Sequence, residues 1–456
     1  MRRWLLALAA LVVAGCVGLV AFGPGLIENA RQGVLPHTPY AIGAKAAALH
    51  DSLIVADWHA DSLLWGRDLL QRSSRGHVDL PRLREGNVAI QMFTIVSKSP
   101  RGQNYERNSS ASGDNITPLV VIQAWPPRTW RSLLERALYQ SEKLHALAER
   151  APEQIRIVRT AVDLEAALAL RSGRPAGERP VAALLGIEGA HALDGRAENV
   201  DALYDAGFRM IGLHHFFDSR LGGSLHGESG EGLTEFGREV VRRLENRRII
   251  IDLAHSSPAV VDDVLAMASR PVVVSHTGMQ GTCDSPRNLS DAQMRRIADA
   301  GGLVAIGYWD GAICDVTPEG VVRTLRYAID TLGVEHVALG SDYDGSTWTM
   351  FDTSELAVLT ETMLRQGFTP AEIQAVMGGN SARFLLEQLP IAFHTPFAPS
   401  QEEEPAFSRF AGPAAERTPV RLGWEEIPPP FAAPGRRPAH APRSRRLLSA
   451  LDLSES

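Results

Sequence analysis

The sequence predicts an α/β protein folded as a (β/α)8 barrel, the TIM-barrel architecture. Eight short apolar runs alternate with amphipathic stretches over most of the 456 residues. Most of these runs are apolar on both faces, which is typical of buried parallel strands. Histidines and acidic residues stand at the ends of several runs, where a barrel gathers its functional side chains. A doubly wound open sheet is the alternative, but no glycine-rich phosphate loop follows the first run.

The predicted strands follow one another at intervals that leave room for a helix in most of the gaps. They lie at residues 52–57, 88–96, 181–188, 209–215, 248–255, 271–277, 302–308 and 336–342. Helical periodicity is clear in LTEFGREVVRRLEN before the fifth strand and in DAQMRRIADA before the seventh. The segment between the second and third strands is very long, and we expect it to form a lid or rim over the mouth of the barrel.

The sequence predicts a membrane segment at the N-terminus. Residues 1–24 contain two arginines followed by an uncharged run from Trp4 to Phe22. That run is long enough to span the ~30 Å hydrocarbon core of a bilayer. The residues after Cys16 stay apolar, which favours an uncleaved anchor, and the arginines predict that the remainder of the chain lies outside the cytoplasm, on the periplasmic or extracellular side. The motif VAGC ending at Cys16 keeps a lipidated cysteine or a cleaved signal peptide as the alternative.

The C-terminus has the composition of a disordered tail. Residues 391–456 are rich in proline, alanine and arginine and have no apolar periodicity. We therefore place the catalytic domain at residues 36–390 and expect it to be independent of both ends.

Composition excludes some classes of function. The chain has 45% hydrophobic and 22% charged residues, as soluble globular domains do. A net charge of −7 gives no basic field for nucleic acid, so we expect no partner of that kind. The three cysteines cannot build a disulfide framework, and we expect Cys283 and Cys314 to be free thiols.

Polar residues at the strand ends carry the functional signal. His59 and Asp61 follow the first apolar run, and residues two apart on a strand point to the same face. Later runs end in Glu188, His214, His215, His255, His276 and Asp342. One such residue alone is more often structural, as we expect for His77, His226 and His336. Together, at one end of one barrel, they favour a divalent metal site.

The motifs resemble one family of barrel hydrolases. DWHADSLLW, GIEGAH, LHH, IDLAHSS, VVVSHT, RNLSD and GSDYDG occur in this order between residues 48 and 389. This series closely resembles the membrane dipeptidase (renal dipeptidase) family of zinc peptidases, which have metallo-dependent hydrolase barrels. Many related barrels bridge two metals with a carboxylated lysine after the fourth strand. The three lysines of this chain lie elsewhere, which leaves Glu188 as the candidate bridging ligand.

The resemblance implies a role for each site residue. Two zinc ions per chain are expected, with ligands His59, Asp61, Glu188, His255 and His276. His215 resembles the residue that binds and polarises the substrate carbonyl, with His214 a non-participating neighbour. Asp342 resembles the catalytic acid and base, and Arg287 the residue that binds the substrate carboxylate. Tyr308 and Trp309 are the candidates for a substrate-facing aromatic after the seventh strand.

The resemblance also implies an activity. We expect hydrolysis of dipeptides by a metal-bridging hydroxide outside the cytoplasm, with the membrane contacted through the N-terminal segment. One alternative is an amidohydrolase or lactonase of the same fold acting on another small substrate. Another is a non-catalytic, anchored binding protein. The oligomeric state is open, with a homodimer among the choices.

Overall fold

Eight parallel strands form a nearly closed barrel in the computed structural model, which describes residues 2–391. The strands are β1 Val55–Ala60, β2 Val88–Val96, β3 Val181–Glu188, β4 Phe208–Gly212, β5 Ile250–Asp252, β6 Val273–Thr277, β7 Leu303–Ile306 and β8 Val337–Leu339. Each strand pairs with the next in chain order. A parallel bridge between Ala60 and Tyr343 brings the first and last strands together. The predicted (β/α)8 barrel is confirmed, and the predicted tail from residue 392 onward lies outside the described residues.

Within residues 2–391, fifteen α-helices accompany the barrel. They are α1 Arg2–Arg31, α2 Ala44–Ser52, α3 Leu80–Glu85, α4 Ile116–Ile122, α5 Leu133–Arg150, α6 Ala161–Ala169, α7 Asn199–Asp205, α8 Glu235–Asn246, α9 Pro258–Met267, α10 Asp291–Asp299, α11 Asp310–Ile313, α12 Pro318–Leu332, α13 Ala357–Arg365, α14 Pro370–Gln374 and α15 Asn380–Gln388. The described residues also include three short strands, at Gly33–Val34, Ile155–Ile157 and Trp348–Thr349, and several short 3₁₀ or π-helical turns.

The barrel strands are buried on both faces, as their composition predicts. Residues from all eight strands pack with α15 in one apolar cluster, which includes Ile90, Met210 and Leu303. Alternate residues of the same strands, such as Ile211 and Val304, belong to a larger cluster with the outer helices. This alternation fixes which side chains face the barrel axis, and therefore which side chains can meet at its carboxyl end.

The first helix, α1, has two unlike parts. The part from Arg3 to Arg31 is long and apolar enough to cross a membrane, a property that a signal sequence shares. Apolar side chains in its first two thirds, such as Trp4 and Phe22, are exposed. Its last turns pack on the barrel domain, because Glu28 and the following Gln32 are buried. The packed domain therefore begins before Pro36, the boundary that composition suggested.

The two cysteines of the barrel are joined, contrary to the expectation of free thiols. Cys283 and Cys314 form a disulfide with their Cα atoms 5.5 Å apart. Cys283 lies in the loop after β6, and Cys314 is the residue that ends α11 after β7. Loops after neighbouring strands of a barrel lie side by side, so this pairing follows from the fold and not from the sequence separation of 31 residues.

Candidate metal centre

The predicted site residues converge at the carboxyl end of the barrel. His59 is in β1, Glu188 is the last residue of β3, and His276 is in β6. Asp61 directly follows β1, whereas His215, His255 and Asp342 each lie three residues beyond the end of their strand. Except for Asp342, which is slightly exposed, these residues are buried.

Glu188 occupies the centre of the cluster. Its Oε1 lies 2.9 Å from His255 Nε2, 3.2 Å from His276 Nε2 and 3.8 Å from His59 Nε2. Its Oε2 lies 3.2 Å from His215 Nε2. One carboxylate therefore faces four imidazoles, three through Oε1 and one through Oε2. A carboxylate in this central position can serve as a ligand to cations on both sides of it.

Three groups of side chains have the spacing of a metal site. They are His59, Glu188 and His276; Glu188, His215 and His255; and His59, Asp61 and Asp342. Within each group the possible ligand atoms lie within 4.8 Å of one another. Glu188 and His59 each belong to two groups, so the groups form one continuous centre. His215 and Asp342, to which the sequence assigned catalytic roles, are as close to this centre as the expected ligands.

The donor chemistry fits divalent cations. Three carboxylates and four imidazoles meet in a buried space, and His59 Nε2 has no hydrogen-bond partner there. The Nε2 atoms of His255 and His276 are 3.0 Å apart, so both lone pairs could point at one shared position. Neutral imidazoles and carboxylates are the ligands that zinc prefers. A cation here would pair with buried polar atoms that lack adequate hydrogen-bond partners in the protein.

The electrostatics also favour positive charge at this position. Burial opposes the charged form of His59, yet the carboxylates of Asp61, Glu188 and Asp342 raise its pKa to about 10. Burial lowers the pKa of His255 and His276 far below the usual value, with Arg287 adding to the effect in both. These two imidazoles are therefore neutral at physiological pH, the form that binds a metal.

Hydrogen bonds from neighbouring strands orient the ligands. Thr94 on β2 donates to Asp61 Oδ1 over 2.7 Å. Ser275 Oγ donates to Asp252 Oδ2 over 2.6 Å and lies 2.8 Å from His276 Nδ1. Such hydrogen bonds fix the orientation of a ligating imidazole ring and its tautomer. The network therefore holds the carboxylate of Asp61 and the ring of His276 in place.

His215 is oriented by the backbone of the long segment after β2. Its Nδ1 lies 3.1 Å from the carbonyl oxygen of Lys98, which requires a proton on Nδ1. Burial lowers the pKa of His215 to about 4, so its neutral form carries that single proton on Nδ1. Nε2, which faces Glu188, can then donate a hydrogen bond only when the ring is fully protonated.

Arg287 reaches the centre from the loop between β6 and α10. Its side chain is buried, its Nη2 donates to the carbonyl oxygen of His276 over 2.8 Å, and it lies 3.3 Å from His255 Nε2. Its guanidinium carbon lies 5.4 Å from the centre of the Trp309 ring. The guanidinium is thus held beside the centre, where it can meet an anionic group of a ligand.

A cavity of about 760 Å³ opens onto this centre. Asp61, Glu188, His215, His255 and Arg287 line its base. Its volume is in the range of small-molecule sites, which are typically about 300–1,000 Å³. The residues that the sequence predicted from separate strands therefore share one space that a small substrate can enter.

Comparison with known proteins agrees with this geometry. Residues 43–391 match the family model described as membrane dipeptidase, peptidase family M19. The chain belongs to this family. An uncharacterised Klebsiella pneumoniae protein is 31% identical over 257 residues, 53% of this chain and 92% of its own length. The dipeptidase VerJ of Clonostachys rogersoniana is 29% identical over 320 residues, 68% of this chain and 75% of its own.

A solved structure of the family has the same fold. The crystal structure titled dipeptidase AC, a family M19 metallopeptidase, superposes with a TM-score of 0.61 at 25% identity. The match covers 75% of this chain and all of that chain. Membership of this family establishes the chain as a metallopeptidase of the dipeptidase class, which implies a metal cofactor, and the described residues include candidate metal-binding groups.

Two residues of this dipeptidase-family centre have strained backbones. His255 and Asp342 have φ angles of 63° and 56°, in the left-handed region that costs a non-glycine residue about 1–3 kcal/mol. Gly345 follows Asp342 so closely that a Cβ there would lie 2.0 Å from Asp342 Oδ1. The loop after β8 therefore needs glycine at 345, and it holds the Asp342 carboxylate against its neighbours.

The structure distinguishes the aromatic candidates and adds residues that the sequence did not indicate. Trp309 lines the cavity, whereas Tyr308 is buried against Tyr343 and Phe351. Tyr105, from the long segment after β2, accepts a hydrogen bond from Trp309 Nε1 over 3.0 Å and also lines the cavity. Residues between 99 and 122 form part of the cavity wall, the position expected of a rim.

Proposed function

We propose that the protein is a dipeptidase that holds two zinc ions and hydrolyses dipeptides outside the cytoplasm. The observation that carries the proposal is the central position of Glu188, whose carboxylate lies within 3.8 Å of His59 on one side and of His255 and His276 on the other. His59 and Asp61 would hold one ion, His255 and His276 the other, and Glu188 would contact both. Bound zinc at such a centre supplies an activated water at neutral pH and polarises the substrate carbonyl.

Asp342 has the properties of the group that moves the proton. Burial and the charge of Asp61 raise its pKa to about 7, although His59 opposes the shift. A carboxyl group with a pKa near the working pH can accept the proton of the attacking water and later donate it to the leaving amine. The strained backbone of Asp342 holds the carboxylate toward His59, whose Nε2 is 3.9 Å away.

His215 and Arg287 would bind the substrate. His215 Nε2 points into the cavity and can donate to the carbonyl oxygen as negative charge develops there. That role needs the imidazolium, which burial disfavours and Asp61 favours. Arg287 has a planar fork suited to the free carboxylate of a dipeptide. The ring of His215, once protonated, and the guanidinium of Arg287 would together orient the scissile bond.

Export is supported by two independent features. Helix α1 provides a segment that could anchor the chain or direct its secretion. The Cys283–Cys314 disulfide is a feature of proteins in oxidising compartments and is rare in the cytosol. We therefore propose that the catalytic domain is attached to the membrane by α1 and lies on the extracytoplasmic side.

The test is a dipeptide panel on zinc-loaded full-length protein in non-ionic detergent. We expect release of free amino acids, loss of activity with a chelator, and recovery with zinc. Dipeptides with an amidated carboxyl terminus should be poor substrates, because Arg287 then lacks its anionic partner. A zinc-replete protein that cleaves no dipeptide would refute the proposal, and equal cleavage of amidated and free dipeptides would remove Arg287 from it.

A further inference from the structure

The charges at the outer part of the cavity are not explained by the dipeptidase reaction. Four acidic residues line the cavity. Asp61, Glu188 and Asp342 belong to the metal centre, and Asp344 is buried in an ion pair with Arg67. Arg31 and Arg101 also line the cavity. Both are exposed, and neither forms an ion pair within residues 2–391.

We propose that Arg31 and Arg101 are specificity-determining residues that favour dipeptides with an acidic side chain. The inference rests on the proposed function, because it assigns Arg287 to the substrate's C-terminal carboxylate. A neutral dipeptide has no second anion, which leaves the two outer guanidiniums without a partner. An aspartate or glutamate side chain on the substrate would supply that anion.

Arg31 is held at the cavity by the buried contacts of residues on either side of it. Glu28, three residues before it, is buried with Oε1 2.5 Å from Arg67 Nε. Gln32, the next residue, donates to Asp344 Oδ1 over 3.2 Å and accepts from the backbone of Ser346 over 3.1 Å. The chain then pairs in parallel with residues 348–349 of the loop after β8. Buried contacts on both sides therefore place Arg31 beside that loop.

Arg101 is held from a different segment of the chain. Its backbone nitrogen donates to the carbonyl oxygen of Gly113 over 2.6 Å. Asn115 donates to the carbonyl oxygen of the preceding Pro100 over 2.8 Å, which closes the loop. The guanidinium lies beside Gly113, where a Cβ would be 3.3 Å from its central carbon. Two elements distant in sequence thus each bring one arginine to the same cavity.

Cavity placement distinguishes this pair from arginines that only meet lipid headgroups or water. An arginine at the end of an apolar helix could serve the membrane surface alone. Arg101 is not on that helix, yet it lines the same cavity as Arg31 and the metal centre. Selection of an anionic substrate group uses both residues, whereas a purely membrane role uses Arg31 alone.

The experiment compares isosteric substrates on full-length, zinc-loaded protein in non-ionic detergent. The substrate pairs are Ala-Glu with Ala-Gln, and Glu-Ala with Gln-Ala. The readout is the ratio of kcat/KM for the acidic dipeptide to that for its amide. We expect a ratio above one for at least one pair, with each arginine contributing about two- to fivefold, as exposed ion pairs do. The ratio should fall as ionic strength rises.

Substitutions assign the preference to the two residues. Arg31→Gln and Arg101→Gln should each lower the ratio, and the double variant should abolish it. Arg31→Lys and Arg101→Lys should keep part of it, because the charge remains. Arg242→Gln is the matched control, since Arg242 is exposed on α8 and outside the cavity lining. This control should leave the ratio unchanged.

The outcomes separate this inference from the proposed function. If Ala-Gln and Gln-Ala are cleaved but neither acidic partner is preferred, the inference is wrong and the dipeptidase proposal stands. A preference that survives in the double variant also overturns the inference. If no dipeptide of either kind is cleaved by the zinc-replete protein, both proposals fail.

Discussion

The N-terminal boundary of the catalytic unit can be tested with two truncations. One begins at Gly25 and removes the exposed apolar part of α1, and the other begins at Pro36 and also removes Glu28 and Gln32. Composition alone predicts that both proteins are fully active, because every expected site residue lies after Pro36. The structure predicts that they differ, because Glu28 and Gln32 are buried, Glu28 in an ion pair with Arg67 and Gln32 against the loop that carries Asp342.

The size of the difference follows from the contacts that the longer truncation removes. Loss of one partner from a buried ion pair costs about 3–5 kcal/mol, and Arg67 keeps Asp344 as a second partner, so about 3 kcal/mol is expected for Glu28. The two hydrogen bonds of Gln32 add about 1 kcal/mol each. The sum of about 5 kcal/mol corresponds to a Tm lowered by roughly 10 °C.

The assay is thermal unfolding together with dipeptide turnover for both truncated proteins and the full chain in detergent. The protein that begins at Gly25 should match the full chain in kcat and KM. The one that begins at Pro36 should unfold earlier and lose kcat, because the loop after β8 is no longer held at Asp344. Glu28→Gln in the full chain should lower Tm in the same direction by a smaller amount. Equal Tm and kcat for the two truncated proteins would refute the reasoning.

Three further predictions concern the centre. Glu188→Gln should weaken the binding of both zinc ions, since a shared negative ligand stabilises two cations. The measurement is elemental analysis. A single tightly bound metal that is unchanged in the variant would exclude two bridged ions. Asp342→Asn and His215→Ala should stay folded and zinc-replete while kcat falls about 10²–10⁴-fold; metal loss in either variant would make that residue a ligand, which its place in the metal groups permits. Arg287→Ala should raise KM about 10- to 100-fold, the equivalent of a charged hydrogen bond of about 1.5–3 kcal/mol, with a smaller effect on kcat; an unchanged KM for free dipeptides would remove Arg287 from carboxylate binding.

The barrel could be predicted because its strands carry their own signal. Each is apolar on both faces, and this property is local to a few residues. The position of the first strand was less accurate, since β1 runs from Val55 to Ala60 and not from residue 52 to 57. His59 is therefore inside the strand. Polar residues at a strand end weaken the apolar pattern, so strand limits are hardest to predict where the function lies.

The meeting of the site residues could also be predicted, because the barrel places all strand ends on one rim. What the sequence could not supply was the distance of each group from the others. We predicted catalytic roles, and not metal binding, for His215 and Asp342. Both nevertheless lie within 4.8 Å of candidate ligands. The division between ligand and catalyst depends on side-chain directions that only the folded loops determine.

The disulfide and the N-terminal turn were missed for one physical reason. Both depend on contacts between segments that are distant in the sequence, which no local pattern records. Cys283 and Cys314 meet because the loops after β6 and β7 are neighbours, and these loops carry Arg287 and Trp309. The disulfide thus joins two walls of the cavity, a role that spacing in the sequence does not suggest.

Asp344 shows how the end of α1 became part of the catalytic unit. Its carboxylate accepts hydrogen bonds from Ser62 and Arg67 over 2.6 and 2.5 Å, and from the backbone of His77 over 2.7 Å. Its φ of 62°, like that of Asp342, is strained for a non-glycine residue. Strain of this kind persists only where partners over-determine the conformation, and Gln32 is one of those partners. Helix α1, which is long and apolar enough to cross a membrane, is therefore followed by a turn that helps to hold the loop of Asp342.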